Sequence, residues 1–129
     1  MTTRTLTGFL VVGAALVAAP AFAQGDAHNG ETLFGQRCGS CHTVTPDMQH
    51  GFTGPNLFGV SDRAAGTVPG WDFSQALKDS KIVWTDENLD KWLTDTTALV
   101  PGAQMNLKVP SKAEREDIIA YLKSLKPKK

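Results

Sequence analysis

Only two cysteines occur in the 129 residues, and both stand in the run Cys38-Gly39-Ser40-Cys41-His42. No other feature limits the fold as tightly, because Cys-x-x-Cys-His is the pattern by which a c-type haem is fixed to a polypeptide: two thioethers hold the porphyrin and the adjacent histidine holds the iron. The spacing is geometric. Two sulfurs must reach two vinyl groups on one edge of the ring, and the imidazole must then swing beneath the ring to the metal.

A bare Cys-x-x-Cys has other uses, as a dithiol redox pair, a structural disulfide or half of a zinc site. A four-ligand zinc site here needs two histidines from His28, His42 and His50, and their spacings match no ribbon or finger pattern. A thioredoxin-like dithiol needs an apolar strand before it, whereas Glu31-Thr32-Leu33-Phe34-Gly35-Gln36-Arg37 reads as helix. The expected cofactor is one covalent haem c.

Residues 1–23 carry Arg4, an apolar run from Phe9 to Ala19, and Ala21-Phe22-Ala23 before Gln24, the layout of a secretory signal cleaved after Ala23. A retained membrane anchor is the alternative, although the run is short for a spanning helix. Export places the protein in the periplasm, and haem attachment to paired thiols takes place outside the bacterial cytoplasm, so the two expectations agree. Removing 23 of 129 residues leaves 106, a single domain over 24–129. So short a chain, rich in glycine and proline, builds a marginal core by itself, and a large apolar macrocycle would complete it.

The rest of the chain reads as helices joined by long loops. Asp26 can cap a first helix ending at Arg37, and residues 43–70 are loop, rich in Pro, Gly, Asn, Asp and Thr. A short helix is expected from Phe73 to Lys78, and a firmer one from Asp86 to Asp95, capped by Thr85, with Leu89, Trp92 and Leu93 on one face. Ser111 and Glu114 form a capping box for a last helix, in which Ile118, Ile119, Leu122 and Leu125 recur at helical spacing until Pro127. No strand or repeat pattern competes, so the fold class is all-α.

A haem iron has a second axial position. Met1 leaves with the signal, Met48 lies six residues after His42 and reaches the opposite ring face poorly, and Met105 lies 63 residues after it in a Pro-Gly loop between helices. Met105 is the choice for the sixth ligand; an open or histidine-ligated site is the alternative, with His50 the better rival of the two remaining histidines.

These segments together resemble the class I cytochromes c, above all the soluble mitochondrial and photosynthetic-bacterial branch. The likeness spans Gly30-x-x-x-Phe34, Cys38-Gly39-Ser40-Cys41-His42-Thr43-Val44, Gly54-Pro55-Asn56-Leu57, Arg63, Trp84, Pro101-Gly102-x-x-Met105 and Glu114 to Leu122. The resemblance implies a small haem-wrapping fold in which the first and last helices cross, Gly30 and Phe34 against Ile118 and Tyr121. It further implies that the Pro55 carbonyl orients His42 and that Arg63 and Trp84 bond a haem propionate. Trp92 stands where relatives place a pocket tyrosine. Phe73, Leu77 and Ala103 replace a tyrosine, an asparagine and a threonine, which implies a drier crevice.

Loss of Arg4 with the signal leaves 12 Lys and Arg against 13 Asp and Glu, a net charge of −1. Mitochondrial relatives are strongly basic around the exposed haem edge, whereas here Phe52, Thr97, Ala98, Gln104 and Ser111 occupy ring positions, leaving Arg37, Lys112 and Lys108. The basic tail, Lys123, Lys126, Lys128 and Lys129, reads as a solvated helix end. The expected function is one-electron carriage as a monomer between transient protein partners, with no substrate transformed, no nucleic acid bound, and membranes met only through partner complexes. A haem peroxidase or gas-binding protein with a labile Met105 is the alternative.

Overall fold

Asp26 opens the first helix as its short carboxylate predicts, accepting hydrogen bonds from the backbone N–H groups of His28 at 2.9 Å and Asn29 at 3.3 Å. The computed structural model describes residues 24–127, so the expected signal over 1–23 lies outside the described residues. Helix α1 spans Ala27–Arg37 and leads into Cys38, whose N–H donates to Phe34 at 2.8 Å. The histidine of the motif is reached one turn later, with the His42 N–H on the Cys38 carbonyl at 2.9 Å.

Helix α1 lies across the last helix, α5, Lys112–Ser124. The approach at the crossing is close: a Cβ on Gly30 would stand 2.6 Å from the Asp117 carbonyl carbon and 2.9 Å from the Tyr121 Cβ. One turn along, the Phe34 and Tyr121 rings meet at 5.5 Å, and Ile118 of α5 is fully buried. Asp117 ties the start of α1 to this crossing, accepting from the Asp26 N–H and the Asn29 side chain, each at 2.7 Å. Arg37 ties its end through Glu114 at 2.6 Å. The crossed terminal helices expected from the resemblance are present.

Between them stand α2, Gln75–Asp79, α3, Asp86–Thr94, and α4, Thr96–Leu99. Thr85 caps α3 through the Asn88 N–H, as expected. Helix α2 begins two residues later than the sequence pattern implies, because Ser74 caps it by accepting from the Leu77 N–H at 3.2 Å, leaving Phe73 in the preceding loop. Asp95, read as the last residue of the third helix, instead turns extended and caps α4, an unexpected element of four residues. The capping box at α5 is half formed: Ser111 accepts from the Glu114 N–H at 3.3 Å, but the Glu114 carboxylate is drawn to Arg37.

Residues 43–70 are irregular and hang on Asn56, which is fully buried. Its Nδ2 donates to the Thr45 and Gln49 carbonyls at 3.0 and 2.9 Å, and its Oδ1 accepts from the Phe58 N–H at 2.7 Å. No named strand occurs among the described residues. A short antiparallel pairing, with the Trp84 N–H on the Arg63 carbonyl at 2.9 Å and the Ala65 N–H on the Ile82 carbonyl at 2.8 Å, sets Arg63 beside Trp84.

Candidate functional site

All eight residues singled out from the sequence, Cys38, Cys41, His42, Pro55, Arg63, Trp84, Trp92 and Met105, line one cavity of about 490 Å³. Its remaining wall is mostly hydrocarbon, including Phe34, Leu57, Val60, Leu89 and Leu93. The helices put the motif on one side of this space, and the loop after α4 brings Met105 to it from a distant part of the chain.

His42 is held by two neighbours. Its Nδ1 meets the Pro55 carbonyl at 2.8 Å, which makes Nδ1 the protonated nitrogen and leaves Nε2 free to bind a metal. Burial pushes its pKa below the ordinary histidine value, against the Pro55 bond, so the ring is neutral at pH 7. Gly54 packs on the ring: a Cβ there would stand 2.6 Å from Nδ1, so only glycine lets the imidazole lie where it does. Gly54 received no role from the sequence, although its place beside Pro55 in the matching segment is the signal that marks it.

The two thiols have opposite surroundings. Cys38 is buried, which pushes its pKa up to about 11 despite the nearby Arg37. Cys41 is exposed and lowered from the usual thiol value by hydrogen bonds from the Thr53 and Ser40 hydroxyls. An exposed, stabilised sulfur is half of what thiol–disulfide exchange needs. That chemistry leaves a large apolar cavity beside the pair unexplained.

Arg63 is the one half-buried cation of the cavity wall without a carboxylate partner among the described residues. Its guanidinium donates to the Phe58 carbonyl at 3.2 Å, and desolvation lowers its pKa. Trp84 and Trp92, both 8 % exposed, meet at 5.3 Å. Phe73, Leu77 and Ala103 line the same space and add hydrocarbon to its wall. His50 does not line it; its Nδ1 accepts from the Asn56 N–H at 3.1 Å and its Nε2 meets the Pro69 carbonyl at 3.0 Å, which occupies both ring nitrogens.

Two thiols, an imidazole nitrogen, a thioether and an unpaired guanidinium around a hydrocarbon pocket fit an apolar macrocycle bearing a metal and acidic side groups. A fold of crossed terminal helices around such a pocket defines a small c-type haem protein. The family model for Cytochrome c matches residues 27–126. The chain is 46 % identical over 103 residues to a cytochrome c of Euglena viridis, covering 79 % of this chain and 99 % of that one. It is 43 % identical over 116 residues to cytochrome c2 of Rhodomicrobium vannielii, covering 87 % and 90 %. Among solved structures, cytochrome cH from Methylobacterium extorquens matches with a TM-score of 0.71 at 38 % identity, over 78 % of this chain and 99 % of that chain. The chain belongs to the cytochrome c family, whose members carry electrons, bind one haem c covalently and are not enzymes.

Proposed function

We propose that the protein is a monomeric periplasmic one-electron carrier whose iron is held by His42 and Met105. The observation that carries this reading is the convergence of the two thiols, the oriented His42 ring and Met105 on a single apolar cavity. Haem c supplies the ferrous–ferric couple when bound. Pro55 and Gly54 fix the His42 ring, so that no side chain on that face rearranges as charge changes. Met105 closes the other face against oxygen and peroxide. Arg63 and Trp84 hold the acidic side groups, and the hydrocarbon wall excludes water. Residues 1–23 act as the export signal, cut after Ala23.

The partners are proteins with a near-neutral docking face. The surface supports this: Phe52 is 92 % exposed, and the three cations that the resemblance leaves around the haem edge are each engaged, Arg37 by Glu114, Lys108 by Asp95 and Lys112 by Glu116. Little free positive charge is left for steering.

The test is spectroscopy on the exported protein. A pyridine haemochrome of the two-thioether type, the weak red ferric band of iron bound to thioether, and a mature mass starting at Gln24 are expected. A haemochrome without that red band at neutral pH would instead support the peroxidase or gas-binding alternative.

A further inference from the structure

The loop that carries Met105 is held by one buried hydroxyl. Thr96, at the start of α4, is fully buried. Its Oγ1 donates to the Met105 carbonyl at 2.7 Å and accepts from the Leu107 N–H at 3.1 Å. The Leu107 carbonyl lies farther from the same hydroxyl, at 3.4 Å, and takes the Thr96 N–H instead, at 3.2 Å. Five polar groups thus close on one another around Asn106, and among the described residues the Met105 main chain receives its only hydrogen bond from Thr96. Asp95 reinforces the grip from the neighbouring position, pairing with Lys108 at 2.8 Å while capping α4.

We propose that Thr96 is the positioning residue for the sixth ligand, setting how often Met105 leaves the iron. The proposal rests on the reading that Met105 is a ligand. Ala103, two residues before Met105, offers no hydroxyl to the loop, and Thr96 is the side chain that bonds the Met105 carbonyl. Removing the hydroxyl while keeping the side-chain shape leaves a half-buried carbonyl and a half-buried N–H unpaired whenever the loop is closed, which favours the open state. An added ligand that binds only the open state then gains apparent affinity in proportion to the open fraction.

The test measures imidazole binding to the ferric holoprotein by loss of the thioether band. Thr96→Val is expected to bind imidazole about tenfold to a hundredfold more tightly than the parent. Thr96→Ser, which keeps the hydroxyl, stays close to the parent. Ile119→Val, a buried α5 change away from the cavity, lowers overall stability but leaves imidazole affinity unchanged. An unchanged affinity in Thr96→Val, or a serine variant that behaves like valine, overturns the role of Thr96 while the ligand assignment stands. A parent without the thioether band overturns both. Should Thr96→Val fail to mature, amide exchange in the parent decides: the Leu107 N–H is expected to be strongly protected relative to Asn106, and equal rates refute the proposal.

Discussion

Removal of both attachment points, Cys38→Ala with Cys41→Ala, is expected to leave a chain that does not hold this fold. The cavity measures about 490 Å³ and is lined chiefly by apolar side chains. At roughly 24 cal/mol for each Å³ of core left unfilled, keeping it open costs about 12 kcal/mol. Water entering from the open side reduces the cost, yet half of it, about 6 kcal/mol, matches the lower end of the roughly 5–15 kcal/mol that stabilises a domain of this size. The remaining architecture offsets little of such a loss: α3 meets α5 directly through Asp90–Arg115 at 2.8 Å and Asp86–Lys123 at 2.6 Å, but Leu89, Trp92 and Leu93 of α3 and Leu77 of α2 all face the cavity. Far-ultraviolet circular dichroism and a thermal melt of the haem-free variant, beside the holoprotein, measure the effect. Low helicity and a broad melt are expected. A cooperative melt with the helicity of the parent would refute the reasoning, since the polypeptide would then possess a core independent of the cofactor.

Gly54→Ala drives a methyl group against His42 while the Pro55 bond keeps the ring from sliding, so overpacking of about 1–3 kcal/mol is expected, read as a fall of roughly 1 M in the urea midpoint of the holoprotein; an unchanged midpoint refutes the contact. The Asp95 carboxyl is held at about 2, chiefly by its Lys108 hydrogen bond and then by the Ala98 N–H. Because this folded value lies below the ordinary one, its stabilisation is complete above the usual carboxylate range and is lost as pH falls toward about 2. Asp95→Asn should remove that part of the acid dependence, and an identical acid profile would count against the pairing. Electron-transfer rates with a purified partner should vary over a salt series by much less than the roughly tenfold or more seen under strong charge steering. Arg63→Gln removes a guanidinium that disfavours added positive charge in the cavity. At an effective dielectric of about 20 and separations of about 8–16 Å this is worth about 1–2 kcal/mol, a fall of about 45–90 mV in midpoint potential, and a rise would contradict it.

The ends of the fold were legible in the sequence because local chemistry fixes them. Asp26, Thr85 and Ser111 cap their helices with their own side chains, and the Gly30–Phe34 and Ile118–Tyr121 spacings mark the faces that cross. The motif itself names three of the pocket residues. Elements fixed by distant partners were not legible. Glu114 has the right spacing to complete a capping box, yet Arg37, 77 residues away in sequence, offers it a full charge and wins. The four residues of α4 carry two β-branched threonines and little helical preference; only Asp95 marks their start, and the Asp95–Lys108 pair joins two segments whose proximity depends on the loop between them. Thr96 passes unnoticed for the same reason, since a threonine in a loop-like stretch shows nothing of the backbone it will meet.

The two faces of the pocket are secured by different means, and that difference sets where the site can change. On the His42 side, two covalent attachment points, the Pro55 carbonyl and the close packing of Gly54 act within 18 residues of chain, 38–55. Displacing the ring there requires several contacts to break together. On the Met105 side the loop is held without covalent help, by the Thr96 hydroxyl, the Asp95–Lys108 pair and the Val109 N–H on the Leu93 carbonyl at 2.8 Å. These three anchors lead back to α3 and α4, while Arg115 of α5 holds only the far end of the loop, at the Val109 and Pro110 carbonyls, each at 2.9 Å, so the segment around Met105 can open while the terminal helices stay packed. With His42 and Met105 as the proposed ligands, partial unfolding would expose the Met105 side before it disturbs the His42 side, and resistance to peroxide or gas binding would then be set by a handful of contacts from α3 and α4.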